Sequence, residues 1–154
     1  DSGRGLLLIG KGGGNFKTAD ARESGIYIYG EQRACAVSDF NKDGRMDLVV
    51  GQNSEATKLY LNKQGTPGLR VKLNGSIQNP DAIGSIVTAS NLTREIQSGS
   101  GYWAHNSTRL VFSQEKPIGD IHVTWPSGKR MSYSVPPNAR SVQLNRDGTL
   151  QHTK

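Results

Sequence analysis

No window of 12 or more residues sustains apolar side chains at i, i+3, i+4 and i+7 without an interruption. That periodicity is what an amphipathic helix needs, so long helices are excluded before any strand is sought. What remains is a series of short apolar runs separated by glycine, proline and polar turn residues. The chain has 19 glycines and 6 prolines in 154 residues, and they fall mostly between the runs. This is the pattern of an all-β chain. Leu6-Leu7-Leu8-Ile9, Asn15-Phe16-Lys17-Thr18-Ala19, Ile26-Tyr27-Ile28-Tyr29, Ala34 to Phe40, Met46 to Gly51 and Lys58 to Leu61 read as strands. Asp20 to Gly25 reads as a loop or one helical turn.

The polar stretch Asn62-Lys63-Gln64-Gly65-Thr66-Pro67-Gly68 is the best boundary. Beyond it Leu69, Val71 and Leu73 alternate with Arg70 and Lys72, as in a strand buried on one face. Ile83 to Ala89 (with Gly84 as a bulge), Thr93 to Gln97, Arg109 to Phe112, Ile121 to Trp125, Arg130 to Val135, Ser141 to Leu144 and Thr149 to His152 continue the series. About eight short strands in such a span predict a β-sandwich or barrel. The expected division is 1–65, 68–146 and a C-terminal strand or tail over 147–154.

The remaining composition excludes more than it assigns. The apolar run Leu6 to Ile9 is closed by Gly5 and Gly10, far short of the ~18 residues of a membrane-spanning helix. The net charge is +6, but the cations are scattered and not interleaved with aromatics, so nucleic acid is not expected. The single cysteine, Cys35, lies in Arg33-Ala34-Cys35-Ala36-Val37 and is expected to be a core thiol. Asn91-Leu92-Thr93 and Asn106-Ser107-Thr108 fit the N-glycosylation pattern.

The sharpest chemical signal is Asp39-Phe40-Asn41-Lys42-Asp43-Gly44-Arg45-Met46-Asp47. Carboxylate or amide oxygens stand at positions 1, 3, 5 and 9 of this segment, with glycine at position 6. Alternating oxygens on a tight loop converge on one point, and three carboxylates there repel unless a cation joins them. Ca²⁺ takes six to eight hard oxygens at about 2.3–2.6 Å. The expected ligands are the side chains of Asp39, Asn41, Asp43 and Asp47 with the backbone carbonyl of Arg45. The loop is not an EF-hand: position 12 is Val50 where that motif needs glutamate, and strands flank it.

A resemblance follows from these residues. Gly12-Gly13-Gly14-Asn15-Phe16, Ser24-Gly25, Ala36 through Gly51 with the acidic loop inside it, and Leu59-Tyr60-Leu61-Asn62 resemble the FG-GAP/VCBS repeat. The resemblance implies a β-propeller blade with a Ca²⁺ loop between two strands. Propellers typically have 4–8 blades, so the chain is expected to be the C-terminal piece of a longer protein. A lone blade exposes sheet edges, which implies packing on the second part, edge-strand pairing or a homo-oligomer.

The second part has its own resemblance. Gly68-Leu69-Arg70-Val71-Lys72-Leu73, Asn79-Pro80-Asp81-Ala82-Ile83-Gly84, Arg94 to Tyr102 and Val123-Thr124-Trp125-Pro126-Ser127-Gly128-Lys129 are similar to the ASPIC/UnbV domain. The resemblance implies an extracellular or exported setting and calcium, and it brings no catalytic residues. Tyr102, Trp103 and His105 form the other candidate ligand site, because aromatic faces can stack on sugar rings. The competing expectation is that Tyr102 and Trp103 plug the end of the core and His105 is solvated.

The expectation is therefore an all-β chain, a propeller-blade-like antiparallel sheet followed by a small β-sandwich. It is read as a non-catalytic, calcium-binding extracellular module for protein or glycan. The alternative is a carbohydrate-active enzyme or accessory binding domain using Tyr102 to His105.

Overall fold

The computed structural model describes residues 5–113 and 116–153. Glycine punctuation shapes the first part. Strands β1 (Leu8–Gly12) and β2 (Asn15–Thr18) form a hairpin turned through Gly13 and Gly14, both at positive φ. The next turn is a single helical one, α1 (Ala21–Ser24). Asp20 caps it by accepting the Arg22 N–H, and Gly25 ends it at φ 70°.

Strands β3 (Glu31–Ser38), β4 (Asp47–Asn53) and β5 (Lys58–Tyr60) then form an antiparallel sheet in that order. Two expectations fail here. Ile26 to Tyr29 is not a strand. Ile28 is buried, but Tyr27 and Tyr29 stack on each other, and the Tyr27 carbonyl accepts the Tyr60 hydroxyl. Cys35 is exposed rather than a core thiol, because no layer of the core covers its face of β3.

The remaining strands are β6 (Leu69–Asn74), β7 (Ile86–Ala89), β8 (Leu92–Glu95), β9 (Leu110–Phe112), β10 (Asp120–Thr124), β11 (Arg130–Ser134), β12 (Ser141–Asn145) and β13 (Leu150–Thr153). They make two four-stranded sheets, β11-β10-β7-β8 and β13-β12-β6-β9. Alternation decides which side chains meet between them. Leu69, Val71 and Leu73 on β6, Val142 and Leu144 on β12, Val87 and Ala89 on β7, and Ile121 and Val123 on β10 share one buried cluster with Phe112 and Trp125. Polar partners alternate outward, as a sandwich requires. The run from Ile83 becomes a strand only at Ile86; Gly84 precedes it at φ 85° and donates its N–H to the Ile96 carbonyl. The last strand is no tail: β13 pairs along β12 from Ser141–Thr153 to Leu144–Leu150.

The core is unevenly shared. Every member of the main buried cluster lies at or beyond Leu69. Before Leu69, the buried hydrophobic residues among those described are Ile28 and Val50. Leu6, Leu8 and Phe16 are exposed.

Candidate metal centre

The acidic segment is the connection between β3 and β4. Asp39 follows the last residue of β3, and Asp47 is the first residue of β4, where it pairs with Ser38. The two ends of the loop are thus fixed by the sheet, and both carboxylates are buried. Gly44 lets the chain turn between them at φ 83°. A Cβ there would meet the Gly68 carbonyl at 2.9 Å, so the turn also lies tight against the next segment. The Gly68 N–H closes this contact on the Gly44 carbonyl at 2.8 Å.

Side-chain oxygens organise the loop from within. Both Asp47 oxygens accept backbone N–H groups, Oδ2 from Phe40 and Oδ1 from Asn62, each at 2.8 Å. Asn41 Oδ1 accepts the Asp43 N–H at 3.1 Å, and its Nδ2 donates to Asp43 Oδ2 at 2.9 Å. Asp43 Oδ1 accepts the Arg45 N–H. The hydrogen bond from Asn41, helped by Arg45, lowers the Asp43 pKa below the usual aspartate value of 3.8.

Two arginines balance the charge. Arg45 Nη1 lies 3.0 Å from Asp43 Oδ2, and its Nε donates to the Gly65 carbonyl. Arg70, on β6, places Nε 2.7 Å from Asp39 Oδ2. That contact is an ion pair without an aligned hydrogen bond, since the Nε–H finds no acceptor at bonding angle. Asp39 Oδ2 also accepts the Gly44 N–H, whereas Asp39 Oδ1 is buried with no hydrogen-bond partner among the described residues.

The structure therefore brings Asp39, Asn41, Asp43, Arg45 and Asp47 onto one loop. Among the described residues it gathers no cage of three or more Asp, Glu, His or Cys side chains. In kind, the donors suit a hard cation, and the orphaned Asp39 Oδ1 is the acceptor such an ion would satisfy. In charge, Arg70 and Arg45 already hold two of the three acids. Arg70 and Asn62 were not visible as site residues in the sequence. The outward position of Arg70 in an alternating strand marks it as polar, but nothing in its neighbours points to Asp39.

The second candidate cluster is open to solvent. Tyr102 is 70% and Trp103 is 85% exposed, so neither plugs the core. They form the tip of a turn closed by the Ala104 N–H on the Gly101 carbonyl, with Trp103 at φ 53°. Their rings are 6.1 Å apart and tilted by 51°. His105 is also exposed. The loop is anchored behind them: Asn106 Oδ1 accepts the Val37 N–H at 2.9 Å, and the Ser107 N–H donates to the Val37 carbonyl. Asn106 is thus occupied by structure, a role the glycosylation pattern does not reveal.

No helix among the described residues is long and apolar enough to cross a membrane. No curated protein matches the chain. Residues 75–151 match the family model described as ASPIC and UnbV, which is half of the sequence. The match covers β7 to β12 and the start of β13, and it does not reach the acidic loop. On this match, the chain belongs to the ASPIC and UnbV family.

Proposed function

We propose that the chain is a non-catalytic extracellular interaction module that calcium stabilises at the β3–β4 loop. The observation that carries this reading is the buried, unpartnered Asp39 Oδ1 on a loop of hard oxygen donors. Leaving such an acceptor unmet costs about 1–3 kcal/mol or more for a charged group. Asp39, Asn41, Asp43, Asp47 and the Arg45 carbonyl would hold the ion, and Ca²⁺ would supply the charge that lets the carboxylates stand together. The resemblance of residues 5–65 to an FG-GAP/VCBS blade points the same way, as do the exposed apolar residues and open edge of this part. Calcium abundance outside cells fits the setting.

A thermal melt of chelated protein against Ca²⁺, with Mg²⁺ and Asp43→Ala as controls, tests the reading. At a hundredfold excess over Kd the ion should add about 2.7 kcal/mol. A melting temperature indifferent to Ca²⁺ would refute it.

A second reading has its own observation. An aromatic pair as exposed as Tyr102 and Trp103, presented on a turn that holds Trp103 at positive φ, supports glycan stacking. Tryptophan fluorescence across a sugar panel should shift saturably and lose the shift in Trp103→Ala. A flat response across the panel would exclude this reading.

A further inference from the structure

A cleft of about 760 Å³ opens where the acidic loop meets one end of the β13-β12-β6-β9 sheet. Strands β6 and β12 begin there, at Leu69 and Ser141, and β9 and β13 end there, at Phe112 and Thr153. Four cations border it: Lys42 from the acidic loop, Arg70 from β6, Lys116 from the segment after β9, and Arg140 just before β12. Among the described residues, Asp43 is the acid on its rim.

Among the described residues the charge does not cancel. Arg70 is held by Asp39, and Asp43 is held by Arg45. Lys42, Lys116 and Arg140 are exposed and make no ion pair among the described residues. Among the described residues, three cations without an ion pair thus face one concavity. Such a cleft favours an anion, and charge-assisted hydrogen bonds to it are the strong kind.

The walls select among anions. Pro67, Pro117, Pro136 and Pro137 line the cleft and give it rigid, apolar sides. Single-stranded nucleic acids are held on exposed aromatic platforms. The aromatic residue of this cleft, Phe112, is 1% exposed and offers no ring face. An extended peptide fits both features. Its carboxylates would meet Lys42, Lys116 and Arg140, and its aliphatic carbons would lie on the prolines. We propose that this cleft binds an acidic peptide segment of a partner protein. The inference rests on the interaction-module reading and names the chemistry of the partner; it does not require the ion.

The test is fluorescence polarisation with a labelled glutamate- and proline-rich peptide at fixed ionic strength. Its glutamine counterpart and a sulfated oligosaccharide serve as competitors. The variants are Lys116→Gln with Arg140→Gln, and Lys72→Gln with Lys129→Gln away from the cleft. The expected result is saturable binding that the first pair weakens about tenfold and the second leaves unchanged. The glutamine peptide should compete poorly. Absence of binding, equal competition by the glutamine peptide, tighter binding of the sulfated sugar, or an undiminished cleft variant would each overturn the proposal. A calcium melt on the same samples separates the two ideas. A normal calcium response without peptide binding removes this inference alone. Loss of both removes the module reading as well.

Discussion

Arg70 reaches from the first strand of the sandwich to Asp39 at the head of the acidic loop, with side chains only 14% and 2% exposed. The pair is the charged seam between the two parts of the chain, and its burial makes it sensitive. A buried ion pair adds little over an apolar substitute, but removing one partner strands the other, at about 3–5 kcal/mol.

Arg70→Met in chelator should therefore lower stability by about that amount. Added Ca²⁺ should recover part of the loss, because the ion can balance the stranded Asp39. Asp39→Asn together with Arg70→Met should be less destabilised than the sum of the single changes. Urea unfolding of the four proteins closes the cycle. Strict additivity would mean that the pair is not coupled.

The glycine contacts give a second prediction. An alanine Cβ at Gly68 would lie 2.5 Å from the Phe112 carbonyl oxygen, and one at Gly44 would lie 2.9 Å from the Gly68 carbonyl. Both neighbours are backbone and cannot rotate aside. Gly44→Ala also forces alanine to positive φ, which costs about 1–2 kcal/mol before any clash. Gly25→Ala shares the positive φ but meets nothing within 4 Å. Chemical denaturation should rank Gly25→Ala as the mildest of the three.

A third prediction concerns pH. Burial raises the Tyr133 phenol above its ordinary value of 10.0, outweighing other influences, and its hydroxyl donates to the Asn145 carbonyl at 2.6 Å. The folded state then keeps this proton longer than the unfolded chain. That contribution is complete below pH 10 and is lost as pH rises through the folded-state pKa. Tyr133→Phe should flatten the alkaline limb of a stability profile. At the acid end, the lowered Asp43 pKa acts oppositely: its contribution is present above 3.8 and disappears as pH falls through the folded value. Asn41→Ala should raise the Asp43 pKa, as read by NMR titration.

The uneven core predicts uneven stability. Ile121→Ala, at a fully buried position between the sheets, should cost about 2–5 kcal/mol. Phe16→Ala, on a residue 67% exposed, should stay within about 0.5 kcal/mol. Hydrogen exchange should open β1, β2 and β3 before β6, β10 and β12. Uniform protection across both parts would contradict this.

Much of the sandwich was legible because burial on one face imposes a two-residue period. Leu69-Arg70-Val71-Lys72-Leu73 and Ile121-His122-Val123 declare their inward faces in order. The same logic misled at Ile26 to Tyr29, where composition resembles a strand but no neighbour offers a ladder. It misled at Cys35 because a single strand cannot show which of its faces another layer will cover. The acidic loop was visible because its residues are local. Arg70 was not, since it meets Asp39 only through the packing of the two parts. For the same reason no local pattern announced the cleft cations, which come from four separate segments.

The parallel pairing of β6 with β12 has a kinetic consequence. Arg70 meets Ser141 about seventy residues later in the chain, so the central seam of one sheet cannot close until nearly all of it is available. Until then Leu69, Val71 and Leu73 stand on a strand that β9 can cover on one flank while the β12 flank stays unsatisfied, a template for misassembly between chains. Arg70 and Lys72 alternate with them, and a charge at every second position discourages such pairing. The arginine that ends as a partner for Asp39 thus begins, on the growing chain, as a gatekeeper.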